Sequence, residues 1–277
     1  MAVSLGDPVL SLYERFSLYN SPYVAHGEGR AVDLYPADEQ TGFETQPVVS
    51  PVTGTVLDVE RVRAPPKPYA EADDYLALVD TGTHIARLLH VEPDVNPGDT
   101  IERGESLGRL VRAGFFAPWV PNHLHLEFRP TDANPDRASG SVPITLDVDI
   151  HPIEWDGSGT VVAAGETWAL LDSPSHPRAG ERFVGVGSDG GVLDGGCPHY
   201  DGGGLFGNGE VAKVAGTRVG TVNERNVSWD DIAIEVNGTR ITGIAFFCSK
   251  GTFGVKLVGT DGQFPEGESV RIEVVPV

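Results

Sequence analysis

The sequence predicts an all-β protein: a compact antiparallel β sandwich, curled tightly enough to be barrel-sandwich-like, followed by a second β-sandwich-like domain. Three observations predict it. The 277 residues include 35 Gly and 21 Pro, long stretches of good helix formers are few, and short apolar runs alternate with period two between tight-turn signals. The length exceeds one typical domain and falls short of three, so two domains are expected. A proline-containing polar stretch over 130–140 precedes a region denser in glycine, which places the boundary near 138 and the domains at 1–137 and 138–277.

Each element follows from its local pattern. In Ala31-Val32-Asp33-Leu34-Tyr35, alternation puts Asp33 on the face of Ala31 and Tyr35 and turns Val32 and Leu34 the other way. Val48 to Val59 reads as strand, turn and strand around Thr53-Gly54. Tyr75 to Asp80, Thr81-Gly82 and Thr83 to His90 read as a hairpin. Between these runs lies a loop with Pro65, Pro66, Pro68, Glu71, Asp73 and Asp74, a rim or lid in composition. Pro97-Gly98 and Arg103-Gly104 mark further turns between very short strands. In the second half, strands are expected over 144–150, 160–162, 168–171, 232–236, 241–247 and 270–275.

The net charge of -20 arises from 40 acidic against 20 basic residues, and only Lys67, Lys213, Lys250 and Lys256 among the basic ones are lysine. This is a composition suited to a halophilic surface: at molar salt the Debye length is about 3 Å, so crowded carboxylates no longer repel strongly. Nucleic acid and anionic membranes are excluded as natural partners. The opening residues lack a basic and apolar leader pattern, and no run of about 18 apolar residues occurs, so a soluble, cytoplasmic protein is expected. Cys197 and Cys248 are too few for a disulfide framework and read as buried thiols.

The chemistry concentrates in Asn122-His123-Leu124-His125-Leu126-Glu127-Phe128. Alternation sets His123, His125 and Glu127 on one face and Leu124, Leu126 and Phe128 on the core side. At roughly 6–7 Å between alternate residues of a strand, one imidazole can bind a metal while the other reaches substrate. Glu127 reads either as an acceptor orienting an imidazole or as a solvated charge. A further candidate is His90 at the end of Thr83-His84-Ile-Ala-Arg-Leu-Leu-His90, while His84, near the turn, reads as a surface residue. Cys197-Pro-His199 and His176 lack a fourth partner at ligand spacing and read as loop residues. The glycine run 195–204 has no Lys-Ser/Thr of a phosphate loop.

Taken in order, a histidine, an aspartate, Ser50-Pro-Val-Thr-Gly-Thr-Val56, a strand ending in His90, Val95-x-x-Gly98-Asp-x-Ile-x-x-Gly104-x-x-Leu-Gly108, and His123-Leu-His-Leu-Glu-Phe128 resemble the lysostaphin/LytM-type zinc endopeptidases, peptidase family M23 with the duplicated-hybrid-motif fold, over residues 20–130. The resemblance implies a zinc metallopeptidase, a hydrolase acting on a peptide-like substrate. It implies zinc ligands at Asp33 and His125 and a catalytic pair at His90 and His123. The family's first ligand normally stands four residues before the aspartate, where this chain has Gly29. The nearest histidine, His26, stands seven before it, and Gly27 and Gly29 give the backbone the freedom to bring it back. Glu28 as an oxygen ligand is the alternative. The competing reading is a catalytically degenerate peptidase fold serving as a binding or scaffold module; the Ser50–Thr55 turn also resembles lipoyl- and biotinyl-type domains, although it has no lysine at its tip.

The charge pattern makes one prediction independent of fold: raising KCl from 0.1 to 2 M should raise the thermal unfolding midpoint. A midpoint that falls or stays constant would remove the halophilic reading.

Overall fold

A computed structural model describes residues 2–38 and 40–277. Strand is the dominant element, and the two helices among the described residues, α1 (Asp7–Leu10) and α2 (Val24–Gly27), are single turns. No helix among the described residues is long and apolar enough to cross a membrane. Contact density divides the chain into two units, Met1–Phe16 with Glu28–Val148, and Ser17–Gly27 with Asp149–Val277.

The first half of the chain contains β1 (Val3–Gly6), β2 (Arg15–Ser17), β3 (Ala31–Tyr35), β4 (Pro47–Val49), β5 (Gly54–Arg63), β6 (Asp73–Asp80), β7 (His84–Leu89), β8 (Val91–Pro93), β9 (Thr100–Ile101), β10 (Ser106–Leu110), β11 (Leu124–Pro130) and β12 (Ile144–Asp147). The main sheet of the first unit runs β3-β11-β7-β6-β5-β9 with every pair antiparallel. The β6–β7 hairpin is the one the alternation predicts, turning through Gly82 at φ 81°. Val48 to Val59 is divided differently from a hairpin: β4 pairs with β10, and β5 pairs with β6 and β9. Gly54 explains the close crossing there, because a Cβ would stand 2.2 Å from the Asp80 carbonyl oxygen.

The strand β11 lies between β3 and β7 and is buried on both faces. Leu124 and Leu126 are fully buried and Phe128 nearly so, as the alternation requires, but His125 and Glu127 are buried as well. The polar face is therefore internal, and its charged groups need partners. The domain boundary expected near 138 falls inside the first unit. Arg129 Nη2 donates to the Arg137 carbonyl at 2.8 Å, Arg87 donates to the Pro135 carbonyl, and β12 pairs in parallel with β1. The polar stretch is thus a loop tied down by two buried arginines.

The second unit has its own apolar core, including Val161, Leu171, Leu193, Leu205, Ile234, Ile244 and Leu257. The strands expected around 160, 168, 232 and 270 are present as Ser158–Ala164, Trp168–Leu171, Ile232–Val236 and Ser269–Pro276. The glycine-dense stretch that carries no apolar alternation is also strand: Gly191–Cys197 and Gly203–Gly207 pair antiparallel, with Asp194 opposite Gly204. Cys197 and Cys248 are buried free thiols.

Leu126, fully buried at the centre of the first sheet, tests this packing. Leu126→Ala should cost about 2–5 kcal/mol in urea unfolding, the range for a cavity that relaxes incompletely.

Candidate metal centre

Register builds the site. Opposite residues of an antiparallel pair stand with Cβ atoms about 4.5–5.5 Å apart, and the β3–β11 register puts His125 opposite Asp33. His125 Nδ1 lies 3.0 Å from Asp33 Oδ1, and its Nε2 lies 2.9 Å from Glu127 Oε1. Burial opposes a charge on this ring, yet the bonds to the two carboxylates prevail and lift its pKa to about 9. Burial likewise works against the charge on Glu127, but His125, Ser141 and Arg87 together hold its pKa down at about 2. Without a metal, His125 is an imidazolium between two carboxylates.

The readings left open for Glu127 are resolved: it is no solvated charge. It lies 3.2 Å from Arg129 Nη2 and 3.6 Å from Arg87 Nε, and it accepts from the Ser141 hydroxyl, which in turn accepts from Arg129. Arg87 stands directly across the β7–β11 ladder from Glu127. This multiply bonded carboxylate fixes the ring of His125 from the side away from Asp33, as outer acceptors commonly do for metal-ligating histidines.

His123 immediately precedes β11 and is 4% exposed. Its Nδ1 is 2.9 Å from the Pro121 carbonyl oxygen, which can only accept, so Nδ1 carries the proton and Nε2 is the basic nitrogen. That Nε2 lies 3.4 Å from Asp33 Oδ1. Burial pushes the pKa of His123 down to about 3, against the attraction of Asp33, so the ring is neutral.

His90 directly follows β7 with φ 69°, a left-handed conformation that interrupts the strand alternation. Its Nδ1 is 2.6 Å from Oδ2 of Asp74, a fully buried carboxylate whose Oδ1 accepts from the Tyr75 N–H at 2.8 Å. Asp74 is the residue the sequence reading misplaced, grouped there with the acids of an exposed loop. Carrying the period-two pattern of Tyr75–Asp80 one residue back would have put it on the buried face of Leu76 and Leu78. The His90 ring sits 5.4 Å from that of His123 and 5.8 Å from that of His125, centroid to centroid.

Phe116 packs on both His123 and His90, at 4.3 and 4.7 Å. Its segment is organised by Arg112, which donates to the carbonyls of Ala117, Pro118 and Val120 and lies over the rings of Phe43, Tyr69 and Phe116. Burial pulls the guanidinium pKa down to about 10. No sequence pattern announces this arginine, because its partners come from three separate loops.

His26 lies on α2, 1% exposed, with Nδ1 2.6 Å from the Leu18 carbonyl oxygen, so its basic nitrogen is Nε2. His26, Asp33 and His125 each offer a ligand atom, all within 4.8 Å of one another. Gly29 adopts φ 60°, the left-handed turn its position suggested. Glu28 is exposed and paired with Arg30 at 2.6 Å. Two imidazole nitrogens and a carboxylate, with one ring locked in the right tautomer, suit zinc or a similar divalent ion; His125 must release its Nδ1 proton to take part. Among the described residues this is the one such group, and His176 and Cys197-Pro-His199 lie outside it.

The two shifted histidines give the chelator-stripped protein a stability maximum. His125, raised from 6.5 to about 9, contributes stability fully present below pH 6.5 and lost as pH rises through 9. His123, lowered from 6.5 to about 3, makes stability fall as pH drops below 6.5. Urea midpoints across this range should therefore peak near pH 6.5, and His125→Gln should flatten the alkaline limb while leaving the acid limb.

Among the solved structures that the chain resembles are two at 16% sequence identity. The SpoIIQ–SpoIIIAH pore-forming complex matches 47% of this chain and 84% of that one with a TM-score of 0.31. The solution structure of lysostaphin matches 79% of this chain and 95% of its own with a TM-score of 0.29. No curated protein matches. The family model described as the DUF8155 (domain of unknown function) N-terminal domain matches residues 4–146, and the model of the DUF8155 C-terminal domain matches 151–275. With more than half the sequence under the first model alone, the chain belongs to the DUF8155 family.

Proposed function

We propose that the protein is a zinc-dependent hydrolase of peptide or amide bonds, with the metal held by His26, Asp33 and His125 and with His90 and His123 assisting. One observation carries the reading: a His, Asp, His donor set within 4.8 Å stands beside a buried Asp–His pair. A structural metal site needs no such pair. When bound, the metal would supply Lewis acidity, polarising the scissile carbonyl and acidifying water.

The chain's own groups divide the remaining work. Asp74 accepts the Nδ1 proton of His90, which fixes the tautomer and leaves Nε2 as the nitrogen able to take or return a proton. His123, neutral through burial and held by the Pro121 carbonyl, presents its Nε2 toward Asp33 and is the second proton-handling group. Phe115 and Phe116 flank His90 and keep that side of the ring from water. The substrate class proposed is a short peptide segment.

The test is metal content followed by turnover. One zinc per chain is expected, lost in His125→Ala, Asp33→Ala and His26→Ala; full retention in these variants would remove the ligand assignment. Asp74→Asn should keep its zinc and lose roughly 10²–10⁴-fold in hydrolysis of a mixture of short synthetic peptides, glycine-rich members included, followed by mass spectrometry. Zinc binding without cleavage of any member would favour the scaffold reading.

A further inference from the structure

A hydrogen bond to one nitrogen fixes that atom and leaves the plane of an imidazole free to turn about it. His123 Nδ1 donates to the Pro121 carbonyl at 2.9 Å, and two aromatic rings lie against the imidazole: Tyr35 of β3 at 4.9 Å and Phe116 at 4.3 Å, centroid to centroid. Phe116 also meets His90 edge to face at 4.7 Å. A ring packed against two others cannot turn without displacing them, and a close-packed interior leaves no room for that.

Each of these two rings carries a guanidinium. Arg15, 2% exposed, lies over Tyr35 at 4.2 Å from the ring centre, and Arg112, half-buried, lies over Phe116 at 5.5 Å. Backbone bonds tie both pairs into place. The Tyr35 carbonyl accepts from the Glu14 N–H at 2.9 Å, beside Arg15. The Phe116 carbonyl accepts from the Tyr69 hydroxyl at 2.8 Å, while Arg112 covers the Tyr69 ring at 5.2 Å and donates to the carbonyls of Ala117 at 3.3 Å, Pro118 at 3.0 Å and Val120. A planar guanidinium can stack on a ring and donate along its edge at the same time, which an ammonium cannot. Burial pulls both guanidinium pKa values down to about 10, so both stay charged at neutral pH. An apolar side chain would fill either place at lower cost; what the guanidinium adds is a fixed direction for the ring beneath it.

We propose that Arg15 and Arg112 are positioning residues, each setting an aromatic ring, Tyr35 and Phe116, and that these rings fix the plane of His123 for proton transfer. All the residues concerned lie in the first unit. This rests on the hydrolase reading above, in which His123 is a proton-handling group. It gives roles to two arginines that neither the ligand set nor the Asp74–His90 pair uses.

The full chain is tested by steady-state kinetics on the best-cleaved member of the peptide mixture and, separately, by NMR of protein with isotopically labelled histidine, in which the His123 Nδ1–H is assigned by its loss in His123→Gln. Tyr35→Leu and Phe116→Leu should lower kcat about 10–100-fold with KM within about threefold of the parent. Both should speed solvent exchange of the Nδ1 proton at least about tenfold. Tyr35→Phe keeps the ring and should retain kcat and exchange within about threefold. Arg15→Met and Arg112→Lys, which keep an unbranched stem and lose the planar fork, should move both measures in the same direction as the leucine variants and serve if those do not fold. Unchanged kcat and exchange in folded Tyr35→Leu and Phe116→Leu would overturn the proposal, as would equal losses in Tyr35→Phe and Tyr35→Leu. A raised KM with unchanged kcat would also overturn it, by placing the rings in substrate binding. A parent that cleaves no peptide would end the hydrolase reading, while Nδ1 exchange would still decide whether the two rings hold His123.

Discussion

The arrangement of the site depends on the register of β11 between its two neighbours. One ladder sets His125 opposite Asp33, and the other sets Glu127 opposite Arg87. A slip of one residue would turn Leu124 and Leu126 to the polar side and the two histidines into the apolar layer, so the hydrophobic pattern fixes the register and the register fixes the chemistry. Because β11 is buried on both faces, the charges on its polar side sit in a poorly hydrated setting where each must find a partner.

That setting explains why the histidines divide in behaviour. His125 lies between two carboxylates and is held charged without metal; His123 has a carbonyl at one nitrogen and is held neutral by burial. The two stand two positions apart at the start of β11. Their difference comes from what the neighbouring elements place against them, which is how two identical side chains acquire distinct roles. Asp33 faces both, so one carboxylate links the proposed ligand set to a proposed proton carrier.

Much of the fold was legible from the chain. Period-two alternation, Gly and Pro punctuation and the spacing of turns identified the β6–β7 hairpin, the strand around Asp33 and the core-facing side of β11, because these features are set by residues a few positions apart. Less legible were the glycine-dense strands of the second half. Gly191–Cys197 and Gly203–Gly207 show little alternation, since their glycines answer to close neighbours, Gly195 and Gly204 to Tyr19 and Gly203 to the Trp229 ring, rather than to a face of the sheet.

The sequence by itself determined that the protein is built of strands, since side-chain alternation is a local property of the backbone; the family resemblance, not the alternation, implied that His123, His125, His90 and Asp33 belong together. Only the tertiary structure could decide their partners. Asp33 meets His125 across 92 positions, Asp74 meets His90 across 16, and Asp194 meets Leu18 across 176. Hydrogen bonds of that kind depend on which strands the folded chain brings side by side, and a single sequence carries no periodic trace of them. The Asp74 carboxylate therefore became visible as the partner of His90 only when its burial and the direction of the bond were known.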